Sequence, residues 1–294
     1  MESNKTIRIF DGATAIVTGG ASGIGRAFAE ELAKRGCEVV LADLQIELAE
    51  EVASEIRVSG GKAKAVKIDT TDFAAMEHLL QETVERSGRL DYIFNNAGII
   101  MGGYVNHYHI EDWNQIVDVN LRGVINGIQA AYPIMVKQGF GHIVNTASMA
   151  GLMVGPGNVA YTTTKHAVVG LSISLRAEAA QMGIRVSVLC PGVIRTPILD
   201  GGKFGKMLIE IPPEQLHRML EKLRPMSPNV FAKKVLHSVA KNKAIIIVPS
   251  WWKLFWWINR FSPSLGISLS QKRFQKMQKE FGIVQRHQQF PQSK

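Results

Sequence analysis

Cysteine is scarce in this sequence: Cys37 and Cys190 are the whole complement of 294 residues. They lie far apart in apolar surroundings, so they read as small buried side chains rather than a disulfide or a metal site. That usage is compatible with a reducing interior. No apolar run approaches the roughly 18 residues that a membrane-crossing helix needs. The opening Met-Glu-Ser-Asn-Lys has no basic-then-apolar pattern, so no export is expected and the chain reads as cytoplasmic. Acidic residues are nearly missing from one stretch: residues 241–294 hold ten Lys and Arg against the single acid Glu280, whereas 1–240 hold 24 of each sign. The net charge of +9 is therefore local. Charge confined to one end argues for an interaction surface there and not for a nucleic-acid-binding domain.

What is present is an alternating pattern. Apolar runs at 13–18, 38–42, 63–68, 92–95, 142–146, 185–189 and 244–248 are rich in Val and Ile and read as strands. Amphipathic stretches at 23–35, 44–58, 72–87, 111–137 and 158–182 lie between them and read as helices. Alternation of this kind predicts an α/β fold, a doubly wound, Rossmann-type parallel sheet of about seven strands with helices on both faces. One dinucleotide-binding and catalytic domain over 1–249 is expected, with a lid insertion at about 197–228 and a basic aromatic extension over 250–294.

The first strand runs into Thr18-Gly19-Gly20-Ala21-Ser22-Gly23-Ile24-Gly25, which opens a helix. Gly19, Ser22, Gly23, Ile24 and Gly25 form a tight turn whose backbone can approach a pyrophosphate at the helix start. Asp43 ends the second strand, where its carboxylate can accept hydrogen bonds from both adenosine ribose hydroxyls and repel a 2′-phosphate. Leu44 and Gln45 follow it and Ser22 is neutral, so NAD is expected rather than NADP. The alternative, a structural glycine turn with a solvated acid, requires strand, helix and Asp43 to coincide by chance.

Tyr161 and Lys165 stand at i and i+4, on one helix face. A free phenol titrates at about 10, and a cation one turn away favours its ionised form. Ser148 ends a strand beside the expected cofactor crevice, where its hydroxyl can meet a substrate oxygen. Alone, Tyr-x-x-x-Lys is a common surface pattern; beside Ser148 and the glycine loop it reads as an acid/base site.

From about residue 10 to 248 the sequence resembles the short-chain dehydrogenase/reductase family, in its shorter single-domain branch. The glycine loop has that branch's Thr-Gly-x-x-x-Gly-x-Gly spacing. The resemblance assigns Asp69 and Thr70 to the adenine and Asn96, Ala97 and Gly98, in Asn95-Asn96-Ala97-Gly98, to the strand end beside the ribose. Pro191, Gly192, Ile194 and Thr196, in Pro191-Gly192-Val193-Ile194-Arg195-Thr196, fall to the loop that holds the nicotinamide carboxamide. Asn120, Ser148, Tyr161 and Lys165 correspond to the catalytic tetrad. In that scheme Tyr161 exchanges the substrate-oxygen proton, Ser148 steadies the oxygen, Lys165 also holds the nicotinamide ribose and Asn120 holds a relay water. The resemblance implies a homodimer or homotetramer. No metal is expected: His107 and His109 form an H-x-H in a loop without a further ligand.

Met149, Leu152, Met153 and Val154 follow Ser148, and the insertion adds Ile198, Leu199, Phe204, Met207, Leu208 and Ile209 with Gly201, Gly202 and Gly205. They read as an apolar, movable lid, with plain core as the alternative, and a steroid, retinoid or other lipid-like alcohol or ketone as substrate. Four of the five tryptophans fall at 251, 252, 256 and 257. As a helix this stretch gathers Trp251, Leu254, Phe255, Ile258 and Phe261 on one face with Lys253 and Arg260 opposite, and 271–281 adds a second basic helix. That pattern suits peripheral membrane contact through 250–281; packing on a neighbouring subunit or over the substrate entrance are the alternatives. Two other readings stay open: a ketoacyl-carrier-type reductase, and a non-catalytic dinucleotide-binding scaffold acting through its basic tail.

Overall fold

A computed structural model describes residues 6–200, 205–209 and 213–281. Its strands, in chain order, are β1 (Thr14–Thr18), β2 (Glu38–Asp43), β3 (Lys62–Lys67), β4 (Tyr92–Asn95), β5 (Ile100–Gly102), β6 (Gly141–Thr146), β7 (Ile184–Pro191), β8 (Gly205–Met207) and β9 (Ile245–Val248). The helices are α1 (Gly23–Lys34), α2 (Ile46–Val58), α3 (Phe73–Ser87), α4 (Ile110–Val117), α5 (Gly123–Gln138), α6 (Val159–Ala179), α7 (Pro213–Glu221), α8 (Pro228–Ala240), α9 (Trp252–Phe261) and α10 (Pro263–Phe281).

Seven strands form one parallel sheet in the order β3-β2-β1-β4-β6-β7-β9. Every strand expected from the sequence is in it. Alternation along β1 shows why both faces must be covered: Ala15 and Val17 enter one core with Phe28, Leu32, Val52 and Phe231 of α1, α2 and α8. Ile16 enters the other with Leu80, Val124, Ile128 and Val168 of α3, α5 and α6. A strand buried on both sides reads as a continuous apolar run, which is what made the inner strands legible. The strand order reverses between β1 and β4, and crossovers leaving in opposite directions open a crevice at the strands' C-terminal ends.

The structure departs from the sequence reading in three places. β5 and β8 form a separate two-stranded parallel pair, each only three residues long, too short for a period to register. The helix expected over 111–137 is α4 and α5 joined by a π-helical turn at Asp118–Arg122. A π turn inserts a residue into the helical ladder and shifts the faces on either side of it; Asn120, within this one, is fully buried. In α9, Trp252, Phe255 and Trp256 pack on the core, while Trp251, Leu254 and Phe261 of the expected apolar face are exposed. Among the described residues no helix is long and apolar enough to cross a membrane.

Two buried polar clusters tie the sheet together. Asp91 accepts Thr14 N at 3.0 Å and Arg8 N at 2.9 Å and pairs with Arg89 at 2.5 Å, a buried charge with its acceptor sites used. His142 is fully buried on β6, with Nε2 2.8 Å from the Ser187 hydroxyl, which donates to Lys243 O at 2.6 Å. That leaves Nε2 as the donor and the ring neutral. Burial, with Arg185 and Arg176 nearby, pushes its pKa down to about 3.

Because the folded imidazole titrates far below its unfolded value, the unfolded chain binds the extra proton from about pH 6.5 downward. Stability should therefore fall with acidification, by up to about 1.4 kcal/mol per pH unit from this group. His142→Asn, which keeps a donor to Ser187, is expected to flatten the denaturation profile between pH 6.5 and 4. An unchanged profile would remove His142 as the cause.

Candidate active site

The crevice at the strand ends is a cleft of about 870 Å³. At its floor the Thr18 hydroxyl accepts the backbone N–H of Asn96 at 2.9 Å and of Ala97 at 3.1 Å, joining the end of β1 to the end of β4. Asn96 returns a bond from Nδ2 to Thr18 O at 3.1 Å, and Asn95 is bound to Asn145 at 2.8 Å. Gly19, Ser22, Gly23 and Ile24 line the cleft; Ser22 makes no side-chain cap, so the N–H groups of the first turn of α1 face the cleft without that partner. Gly25 is different. It lies behind the loop, where a Cβ would collide with Gly19 O and sit 2.8 Å from Asn96 Nδ2, so it lets the helix approach the strand and does not line the cleft.

Asp43 stands at the end of β2 with Oδ2 accepting Ala21 N and Oδ1 accepting Gln45 N, each at 3.0 Å. Each oxygen keeps acceptor capacity toward the cleft. Leu44, Gln45, Asp69, Thr70, Asn96, Ala97 and Gly98 line the same end. Asp69 Oδ1 is engaged by the Thr71 N–H at 2.9 Å and hydroxyl at 2.7 Å. Arg26, the residue after Gly25, pairs with Glu30 and Glu55 on the helix surface.

At the other end Ser148, Tyr161 and Lys165 line the cleft together with Pro191, Gly192, Ile194 and Thr196. Lys165, 3% exposed, donates to Thr146 O at 2.9 Å, and its Nζ is 5.6 Å from the Tyr161 ring centre. Burial pushes the Lys165 ammonium down to about 8. Burial also raises the Tyr161 phenol, a shift that hydrogen bonding with Ser148 opposes. The expected lowering of the phenol is thus reversed: loss of water around Tyr161 dominates. Asn120 does not line the cleft. Its amide clasps Ile99, accepting from N at 2.8 Å and donating to O at 2.9 Å, and lies behind Gly98, where a Cβ would be 3.2 Å from Asn120 Oδ1 and 3.4 Å from Lys165 Nζ.

The apolar wall is only partly the one expected: Ile198 and Leu199 line the cleft as the sequence suggested. Met149, Leu152 and Met153 pack into the core on the sheet face and Val154 is exposed. The wall is built by Ile99, Ile100, Met101, Val119, Ile198, Leu199 and Leu220. Gly205, expected as a lid glycine, belongs to β8 opposite Ile100, where any Cβ would strike Ile100 O. Met207 and Leu208 lie against Gly102 and Gly103, while Gly201, Gly202 and Phe204 lie outside the described residues. Lys206, which the sequence did not single out, lines the cleft and pairs with Asp112 at 2.7 Å. His109 precedes α4, its N–H bonded to Asp112 at 2.9 Å, and no cluster of three His, Cys, Asp or Glu suited to a metal occurs among the described residues.

The C-terminal helices reach this region. The indole edge of Trp252 lies against Gly192, and its Nε1 is buried without a hydrogen-bond partner. Phe274 of α10 would be 3.1 Å from a Cβ at Gly157 and meets Tyr104 edge-on at 5.9 Å, and Gln278 Nε2 donates to the Tyr104 hydroxyl at 2.5 Å.

Comparison with known proteins agrees with this geometry. The family model for the short chain dehydrogenases matches residues 13–202. A 2,5-dichloro-2,5-cyclohexadiene-1,4-diol dehydrogenase of Sphingobium indicum is 41% identical over 187 residues, 64% of this chain and 75% of that protein. Oxidoreductase UcpA of Salmonella typhimurium is 40% identical over 190 residues, 64% of this chain and 72% of that one. Among solved structures, a short chain dehydrogenase/reductase from Burkholderia phymatum in complex with NAD superposes with a TM-score of 0.80 at 30% identity, covering 88% of this chain and 96% of that one. Levodione reductase superposes at 0.74, also at 30% identity, covering 81% and 96%. The chain belongs to the short-chain dehydrogenase family and is an oxidoreductase of that kind.

Proposed function

We propose that this chain is an NAD-dependent oxidoreductase that interconverts an alcohol and its ketone or aldehyde on an apolar molecule, with Tyr161 as the acid/base. The observation that carries the reading is the convergence of Ser148, Tyr161 and Lys165 on one cleft whose far end is Asp43 and the glycine loop. The residues present fit a dinucleotide: Asp43 keeps acceptor capacity for the adenosine ribose, the first turn of α1 presents N–H groups for the pyrophosphate, and the loop from Pro191 to Thr196 faces the nicotinamide end. Bound NAD supplies the carbon that accepts or gives the hydride.

The chain's own residues manage the proton. Tyr161 takes it from the alcohol oxygen in oxidation and returns it in reduction. Ser148 holds that oxygen by hydrogen bonding, which keeps it aimed at the phenol. Lys165, still largely protonated at pH 7 with a pKa of about 8, presents its charge toward the ribose and the phenol. Asn120 is a positioning residue: it fixes the Gly98–Ile99 backbone against which Lys165 lies. The wall from Ile99 to Met101 with Val119, Ile198, Leu199 and Leu220 favours a steroid, retinoid or other lipid-like substrate. In this reading the protein works as a homodimer or homotetramer.

NADH formation over a panel of alcohols tests the reading directly. Tyr161→Phe should lower kcat roughly 10²–10⁴-fold while NAD binding persists; undiminished turnover would refute the assignment, and activity confined to small polyols would refute the apolar substrate. Asp43→Ser with Leu44→Arg should shift the NADP/NAD preference in kcat/KM by roughly 100-fold, since it replaces a like-charge repulsion with a cation; unchanged preference would dissociate Asp43 from the ribose. Lys165 titrates lower folded than unfolded, so between about pH 8 and 10.5 the unfolded chain holds the extra proton. Denaturation of Lys165→Met and wild type should therefore show a stability difference that moves in favour of wild type as pH rises through that window.

A further inference from the structure

The basic, aromatic end of the chain has no part in the chemistry above. α9 turns Trp252, Phe255 and Trp256 into the core, yet Leu254 and Phe261 are 64% and 79% exposed and Trp251 and Trp257 are 44% and 43% exposed. With 3.6 residues per turn these four exposed apolar residues fall within one third of the helix circumference, bordered by Lys253 and Arg260. In α10, Leu265, Leu269, Lys272, Lys276 and Lys279 recur at intervals of four and three, so they form one exposed stripe that begins apolar and becomes cationic. Glu280, the one acid after residue 240, is paired with Lys222.

We propose that the α9–α10 hairpin is a peripheral docking face for an anionic lipid bilayer. An outward apolar arc containing two tryptophans suits the boundary between headgroups and acyl chains, and the flanking lysines and arginines suit anionic headgroups. A second copy of the chain fits the same face poorly, because a two-fold axis through it would bring one copy's cations against the other's. The opposite side of the hairpin rests on the enzyme near the cleft: Trp252 on the Gly192 loop, and Phe274 and Gln278 on the segment around Tyr104, which follows β5 in the cleft wall. Docking therefore holds the mouth of the cleft at the lipid surface, a consequence for substrate entry that rests on the apolar-substrate reading, whereas docking itself does not.

Co-sedimentation of the full chain with vesicles of phosphatidylcholine, alone or mixed with phosphatidylglycerol, tests this. Binding is expected to the mixed vesicles, to weaken with salt, and to be much poorer on the neutral ones. Leu254→Glu with Trp257→Glu and Phe261→Glu should abolish it, and each of Lys272→Ala, Lys276→Ala and Lys279→Ala should lower partition about fivefold. Oxidation of a water-soluble alcohol should be unchanged in all of these variants, and Tyr161→Phe should bind vesicles like wild type, so loss of the catalytic reading and loss of the docking face are separable. The proposal is overturned if wild type ignores the mixed vesicles, if the triple glutamate variant binds them equally, or if light scattering shows a wild-type dimer that this variant dissolves without any vesicle binding.

Discussion

A single hydroxyl closes the floor on which the rest of the site stands. Thr18 accepts two backbone amides from the end of β4 and so fixes the distance between the two strands where the sheet order reverses. The glycine loop leaves from one side of that joint and the Asn96–Gly98 segment from the other. Everything the cleft does depends on their separation, since Gly19 already packs with no room to spare against Ala97, at 3.0 Å from a hypothetical Cβ to the Ala97 Cα. Buried and bonded on several sides, such a joint is rigid, which is what a site built from loops needs beneath it.

On this rigid base the chain places two groups whose charged forms burial disfavours. Burial drives Lys165 toward its neutral form and Tyr161 toward its protonated one. The fold thus draws the titrations of both groups away from their solution values, in a setting where a newly arriving charge acts through little water and counts for more than it would in solvent. The neutral His142 in β6 is the structural counterpart of the same effect, without a task in the cleft.

How much of this the sequence carried follows from the range of each interaction. Six of the seven sheet strands were legible because they are largely buried on both faces, the edge strand β3 because its lysines alternate with Ala and Val, and the glycine loop, Asp43, Ser148, Tyr161 and Lys165 because each stands at a fixed offset from a strand or helix end. The π turn that carries Asn120, the β5–β8 pair and the Lys206–Asp112 contact depend on segments meeting from distant parts of the chain, so no local period announces them. Part of the cleft wall was misread for a related reason: Met149, Leu152 and Met153 are adjacent to Ser148 in sequence, but the turn after β6 directs them into the sheet-face core. In α9 composition identified an amphipathic helix, yet which edge turns inward was decided by the surface it lands on.

The indole of Trp252 occupies the space that a side chain at position 192 would need. The end of the chain is therefore keyed to a loop that lines the cleft, like a wedge cut for one slot. Such an extension is not freely portable. Grafted onto a relative with a bulkier residue in that loop it would find its seat taken, and a drift at position 192 here would dislodge the tail as surely as a change in the tail itself. Two segments some sixty residues apart in sequence are thus bound to change together.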